Sequence, residues 1–141
     1  MIQDAFYGFL SAQAGITALA GTRIFPLVIP QKVYSEATKQ PCLVYSFDAK
    51  NRQKRFSGTD SLVASSVQVD CYATTYRQAQ LLASAVRAVL LDYAGTWTGN
   101  TSPQVSHKVQ KCFLENEIDL DDPEPGLYRV SQSWAIWYDE A

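Results

Sequence analysis

The hydrophobic period changes once in mid-chain, and this is the clearest structural signal in the sequence. From Val63 to Cys71 every second residue is Val, Ser or Cys, the period of a strand with one buried face. After Tyr76 the apolar residues Ala79, Leu82, Ala83, Val86 and Leu90 fall three and four apart, which predicts a helix to Leu91. Thr75, with Gln78 three residues on, is a capping-box start for that helix.

The same reading extends along the chain. Ile2, Ala5, Phe6, Phe9 and Leu10 share one side of a helix over residues 2–13, with Gly15 as its stop. A short piece over residues 16–19 leads to Gly21. A brief strand, Arg23 to Phe25, ends at Pro26 and Pro30. Residues 30–41 read as a loop and Cys42 to Phe47 as a strand. Lys50, Arg52, Lys54 and Arg55 form the basic tip of a hairpin that returns through Gly58 into the long strand ending near Tyr72. Residues 94–103 are turn or a short strand. A strand follows over residues 105–117, then an acidic turn from Asp119 to Gly126, then a last strand from Leu127 to Tyr138. The order α-β-β-β-α-β-β predicts an α/β (α+β) fold: a mostly antiparallel sheet with two helices packed on one face. A length of 141 residues suits one domain, 1–141.

Composition narrows the function classes. With 47% hydrophobic residues the chain can build an ordinary core. A net charge of −2 and no basic excess argue against bulk electrostatic binding to nucleic acid or anionic lipid. Cys42, Cys71 and Cys112 are odd in number and widely spaced, so a disulfide framework and a structural zinc site are both disfavoured. They are expected as buried, reduced thiols, which fits a reducing cytoplasm. The N-terminus lacks the basic n-region of a signal peptide, and no apolar run has membrane-spanning length.

Catalytic chemistry finds little support. His107 is the only histidine and sits in strand phase with Val109, with Ser106 expected on the opposite face. No glycine-flanked serine supports a triad. Asp119, Asp121 and Asp122 lack the spacing of a calcium loop, which Pro123 and Pro125 also interrupt. Gly95 and Gly99 match no phosphate-binding pattern. No cofactor, metal or catalytic residue is expected.

Two charge clusters remain. Lys50, Arg52, Lys54 and Arg55 are a third of all Lys and Arg, and six acids lie between Glu115 and Glu124. As a small nucleic-acid site the basic tip would use Phe56 for stacking. In a head-to-tail assembly the two clusters of neighbouring copies would meet instead, setting register and speeding association. Trp134, Trp137, Tyr128 and Tyr138 crowd the last strand. Trp137, on the face away from Trp134, is the better interface candidate. Asp70 and Tyr72, opposite the Val67/Val69/Cys71 face, are candidates for contacts outside the core.

The chain resembles the tail-terminator, or tail-completion, family of long-tailed bacteriophages and prophages. The resemblance is carried by Leu19-Ala-Gly-Thr-Arg-Ile-Phe-Pro-Leu-Val-Ile-Pro-Gln31, by Pro41-Cys-Leu-Val-Tyr45, by Val67-Gln-Val-Asp-Cys-Tyr-Ala-Thr-Thr-Tyr76, and by Gly126-Leu-Tyr-Arg-Val-Ser131 with Trp137-Tyr138. These stretches cover nearly the whole chain in family order. Residues 94–104 and the basic tip carry no match. The resemblance implies a virion protein, made in the host cytoplasm, that forms a homo-hexameric ring. Such a ring caps the tail tube, stops its polymerisation and docks to the head connector, without catalysis. DNA would pass through the hole without specific binding. Asp119, Asp121, Asp122 and Glu124 are then candidates for the lumen lining or for an intersubunit patch. A head-completion or stopper protein is the alternative within virion assembly. A small nucleic-acid-binding accessory domain is the alternative outside it.

Overall fold

The computed structural model describes residues 2–27, 41–55, 58–99, 106–122 and 127–139, with 48–55, 58–61, 121–122 and 127 described in backbone only. Its elements are helix α1 (Ile2–Ser11), helix α2 (Ala14–Ala20), strand β1 (Ile24–Pro26), strand β2 (Cys42–Arg55), strand β3 (Gly58–Ala73), helix α3 (Tyr76–Leu90), strand β4 (Gly95–Thr98), strand β5 (Ser106–Asp122) and strand β6 (Leu127–Asp139). They build a six-stranded sheet in the order β1-β2-β3-β6-β5-β4. Every pairing is antiparallel except β1 with β2.

The α+β class and the mostly antiparallel sheet agree with the sequence pattern; three local features differ. First, the described residues hold three helices rather than two. The first helix ends at Ser11, and Gly15 lies inside α2 rather than stopping α1. The Gln13 carbonyl accepts from Ile16 N and Thr17 N and starts the new helix. Gly21 ends α2 with a φ of 57°, a left-handed conformation that costs glycine little. Second, β1 runs parallel to β2, because the long connection from Leu27 to Pro41 is free of the hairpin constraint. Third, Asp119, Asp121 and Asp122 are in strand β5, not in a turn: they pair with Val130, Tyr128 and Leu127. Asp has weak strand propensity, and the ladder with β6 overrides it. The expected loop over residues 30–40, the outer turn at 123–126 and residues 100–103 lie outside the described residues.

Period two decides which face is buried. Val63, Ser65, Val67, Val69, Cys71 and Ala73 of β3 and Val130, Gln132, Trp134, Ile136 and Tyr138 of β6 all face the helices and are buried. Ala79, Leu82, Ala83, Val86 and Leu90 of α3 cover them, as the helical spacing predicts. Thr75 Oγ1 caps this helix by accepting from Gln78 N at 3.2 Å. Toward β4 the core becomes aromatic. Phe6 and Phe9 of α1 lie within 5.4 Å and 5.0 Å of the Trp97 ring centroid, and Tyr93 stacks on Trp97 at 5.8 Å. This cluster fastens the short β4 to the rest of the sheet.

Gln132 is the polar centre of the core, fully buried among apolar neighbours. Its amide nitrogen donates to the Ala83 carbonyl at 3.1 Å and to Glu117 Oε1 at 3.2 Å. Its amide oxygen accepts from Trp134 Nε1 at 3.2 Å. Arg87 of α3 donates to the same Glu117 oxygen. One side chain thus ties α3, β5 and β6 together. A buried polar group left without partners costs about 1–3 kcal/mol. Gln132→Leu strips three partners at once, and urea unfolding is expected to show a loss of about 2 kcal/mol or more.

Candidate functional site

The described residues contain no group of three or more His, Cys, Asp and Glu side chains placed to hold a metal ion. His107 is buried, with its ring edge-on to Tyr138 at 5.7 Å. Ser106 is on the opposite face, its hydroxyl 2.9 Å from Thr98 Oγ1, so no serine–histidine pair forms. All three cysteines are buried and free. Burial pushes the Cys42 thiol up to about 11 and Cys112 up to about 12, and raises Cys71 further. Thiols of this kind are inert rather than nucleophilic. An open groove beside α1 is lined by Gln3, Asp4, Tyr7, Ile24, Pro26 and Tyr45, an aromatic and apolar wall with one carboxylate.

Asp70 and Tyr72 do not form an open contact surface. They are buried on the face away from the helices. Tyr72 packs in a small second cluster with Phe25, Cys42 and Val44. Gln68 donates to Asp70 Oδ1 at 3.2 Å and to Ser131 Oγ at 3.0 Å. The Arg129 guanidinium lies 4.0 Å from Asp70 and 5.8 Å above the Tyr72 ring. The residues expected to point outward are thus used up within the chain.

The charged candidates lie at the two ends of the sheet. β2 and β3 form one hairpin, closing at Arg55 opposite Gly58. β5 and β6 form the other, closing at Asp122 opposite Leu127. β3 pairs with β6 from Leu62↔Asp139 to Ala73↔Tyr128, so the hairpins close at opposite ends. The ends are about 50 Å apart at the usual rise along a strand. Lys50, Arg52, Lys54 and Arg55 belong to strand β2 itself, opposite Ser65, Val63, Thr59 and Gly58, rather than to a protruding tip. Their side chains, and those of Asp121 and Asp122, are outside the described residues, as is Glu124 altogether.

Asp119 is held by the helix layer. Tyr76 OH donates to Asp119 Oδ2 at 2.6 Å and Gln80 Nε2 donates to Oδ1 at 2.9 Å. Trp137 is half-buried on the face away from the helices, opposite Ala64 on one side and Lys111 on the other. Phe113, on the same face, is 44% exposed, and Ile118 and Leu120 follow it along β5 at 48% and 37%. The sequence pattern missed this apolar row because Ile118 and Leu120 are interleaved with acids. Their alternation with Glu117, Asp119 and Asp121 was nonetheless a visible strand signal.

The bond to Asp119 raises the Tyr76 hydroxyl above the ordinary tyrosine range, chiefly because the neutral hydroxyl is the donor. The folded-state value lies above the unfolded one. The stabilising contribution is therefore complete below the ordinary tyrosine value and disappears as pH rises through the folded one. Ultraviolet titration is expected to show one late-titrating exposed tyrosine. Asp119→Ala should move it toward the ordinary range, and Tyr76→Phe should remove it.

Residues 4–139 match the family model described as Tail completion protein gp17. A search of curated proteins returns no match. Among solved structures the chain is similar to one in the virion of a native gene transfer agent particle, with 15% identity and a TM-score of 0.66. That likeness covers 98% of this chain and 94% of the other and is one of fold. No helix among the described residues is long and apolar enough to cross a membrane. With nearly its whole length inside the family model, this chain belongs to the tail completion protein gp17 family, structural proteins of the virion tail.

Proposed function

We propose that this chain is a tail terminator: a homo-hexameric ring that closes the end of the tail tube, halts its polymerisation and presents the docking surface for the head connector. It performs no reaction. The mechanism is geometric, since a closed ring adds one layer and offers no further copy of the tube's own interface.

The observation that carries this reading is the opposite placement of the two charged hairpin ends on one sheet. Lys50 and Asp119 are about 20 Å apart along the strands and the hairpin ends about 50 Å, beyond the screening length, so the two rows do not neutralise each other within one copy. Between copies they meet head to tail, the arrangement that generates rings. Lys50, Arg52, Lys54 and Arg55 of one copy then face Asp119, Asp121, Asp122 and Glu124 of the next. Trp137, with Phe113 and Ala135 on the same face, supplies an apolar surface for the tube or the connector. DNA passes through the hole without specific binding, in keeping with the net charge of −2.

Two variants test the reading. Converting Lys50, Arg52, Lys54 and Arg55 to Glu is expected to weaken ring formation on tube ends by tenfold or more, roughly the scale of one close charge pair. Converting Asp119, Asp121 and Asp122 to Lys should do the same. An equal mixture of the two variants should restore rings of alternating copies, seen by mass measurement and by electron microscopy of capped tubes. A tube population of unchanged length in phage lacking this protein would overturn the termination role.

A further inference from the structure

Among the described residues, two edges of the sheet are paired over only part of their length. β4 flanks β5 only at Ser106–Val109, and Asp92 N adds a single bond to the Cys112 carbonyl. From Phe113 to Asp122 the outer edge of β5 has no backbone partner among the described residues. β1 flanks β2 only at Leu43–Tyr45, and Leu27 N bonds to the Tyr45 carbonyl. From Ser46 to Arg55 the outer edge of β2 is likewise without a backbone partner among the described residues. Long open edges invite pairing with another chain.

Their charges are opposite and share one period. Residues 113–122 carry Glu115, Glu117, Asp119, Asp121 and Asp122 and no cation. Residues 46–55 carry Lys50, Arg52, Lys54 and Arg55 against the single Asp48. Lys50, Arg52 and Lys54 alternate, as do Glu117, Asp119 and Asp121. Both rows occupy register positions on the same face. Lys50 and Arg52 stand opposite Ser65 and Val63, and Glu117 and Asp119 stand opposite Gln132 and Val130. Those four partners all face the helix layer.

Strand direction and shape also agree. Three antiparallel pairings separate β2 from β5, so the two strands run in opposite directions. A second copy laid alongside, facing the same way, brings its β2 against β5 antiparallel. Sliding it about nine residues along the strands, about 30 Å, sets Ala49–Arg55 beside Asn116–Asp122, with Arg52 opposite Asp119. Its β1 then lies past the end of β5, and β4 lies past the end of its β2, so neither flanking strand obstructs the seam. A closed ring absorbs such a stagger as strand tilt, as barrels do.

We infer that successive copies of this chain join edge to edge, the outer edge of β5 in one copy adding the β2 edge of the next as an antiparallel strand, so that one sheet continues around the assembly. This rests on the ring reading above and gives its contact a backbone form. Pairing of like edges is disfavoured, because acid would face acid or base would face base. The unlike pair sets Lys50, Arg52 and Lys54 opposite Asp121, Asp119 and Glu117. Asp119, though bonded to Tyr76 and Gln80, is exposed, and a carboxylate has about four acceptor sites, so it can accept more.

The test is a double-cysteine scan on the purified chain, assembled on tail tubes under mild oxidation. Arg52→Cys is combined in turn with Cys at 116, 117, 118, 119, 120 and 121. The native thiols are buried and stay out of the reaction. Covalent ladders up to the ring are expected from 117, 119 or 121 and not from 116, 118 or 120, because only one parity shares a face. In the cysteine-free edge, amides over 113–122 should exchange about tenfold or more slowly once assembled, at alternate residues. Capped tubes without parity in the ladders, or with unchanged amide exchange, overturn edge pairing and leave the ring reading standing. Absence of caps from tube ends overturns both.

Discussion

The pairing of β3 with β6 is the constraint on which the rest of the structure depends. These strands come from different hairpins, and their twelve paired positions hold the two hairpins in one sheet. The register is fixed because a slip by one residue would set the buried face of one strand, Val67, Val69 and Cys71, against the outer face of the other and expose one of the two apolar sets. The helix layer packs on the face this register buries. The separation of the two charged ends follows from the same pairing. Two hairpins joined antiparallel through their second strands must close at opposite ends.

The polar node at Gln132 adds direction to a core that apolar packing alone would leave less specified. Leu82, Val86 and Leu90 position α3 over the sheet through nondirectional contacts. Gln132 bonds to Ala83 and Glu117, and Glu117 bonds to Arg87, which sets where along the sheet the helix sits. Tyr76 and Gln80 repeat the arrangement at Asp119, nearer the start of the helix. The first part of the acidic strand is therefore braced from behind by α3. The same bracing accounts for a run of acids remaining in a ladder that its propensity opposes.

The histidine and the thiols lie in the interior rather than at an open site. His107 is walled in beside Tyr138, and the thiols are buried deep enough to stay protonated. The Asp70–Arg129–Tyr72 group is consumed in holding the face away from the helices. What the surface offers is shape, charge and strand edge, the terms in which assembly proteins act.

The sequence by itself determined the elements with strong period: α1 on Ile2, Phe6 and Leu10, the β3-to-α3 unit with Thr75 at its cap, and the buried face of β6. In each, burial and local bonding act at short range, and the spacing of apolar residues records them. It also recorded both charge rows and the motif stretches that carry the family resemblance. Only the tertiary structure decided that Asp119 to Asp122 form a strand, because the decisive hydrogen bonds come from β6 across the hairpin rather than from neighbours in sequence. Only the tertiary structure made α2 a separate helix, ran β1 parallel to β2, and turned Asp70 and Tyr72 from outward candidates into internal partners. Whether a strand has an open edge depends on which strands stop short beside it. That property belongs to the sheet as a whole and to no single stretch of residues.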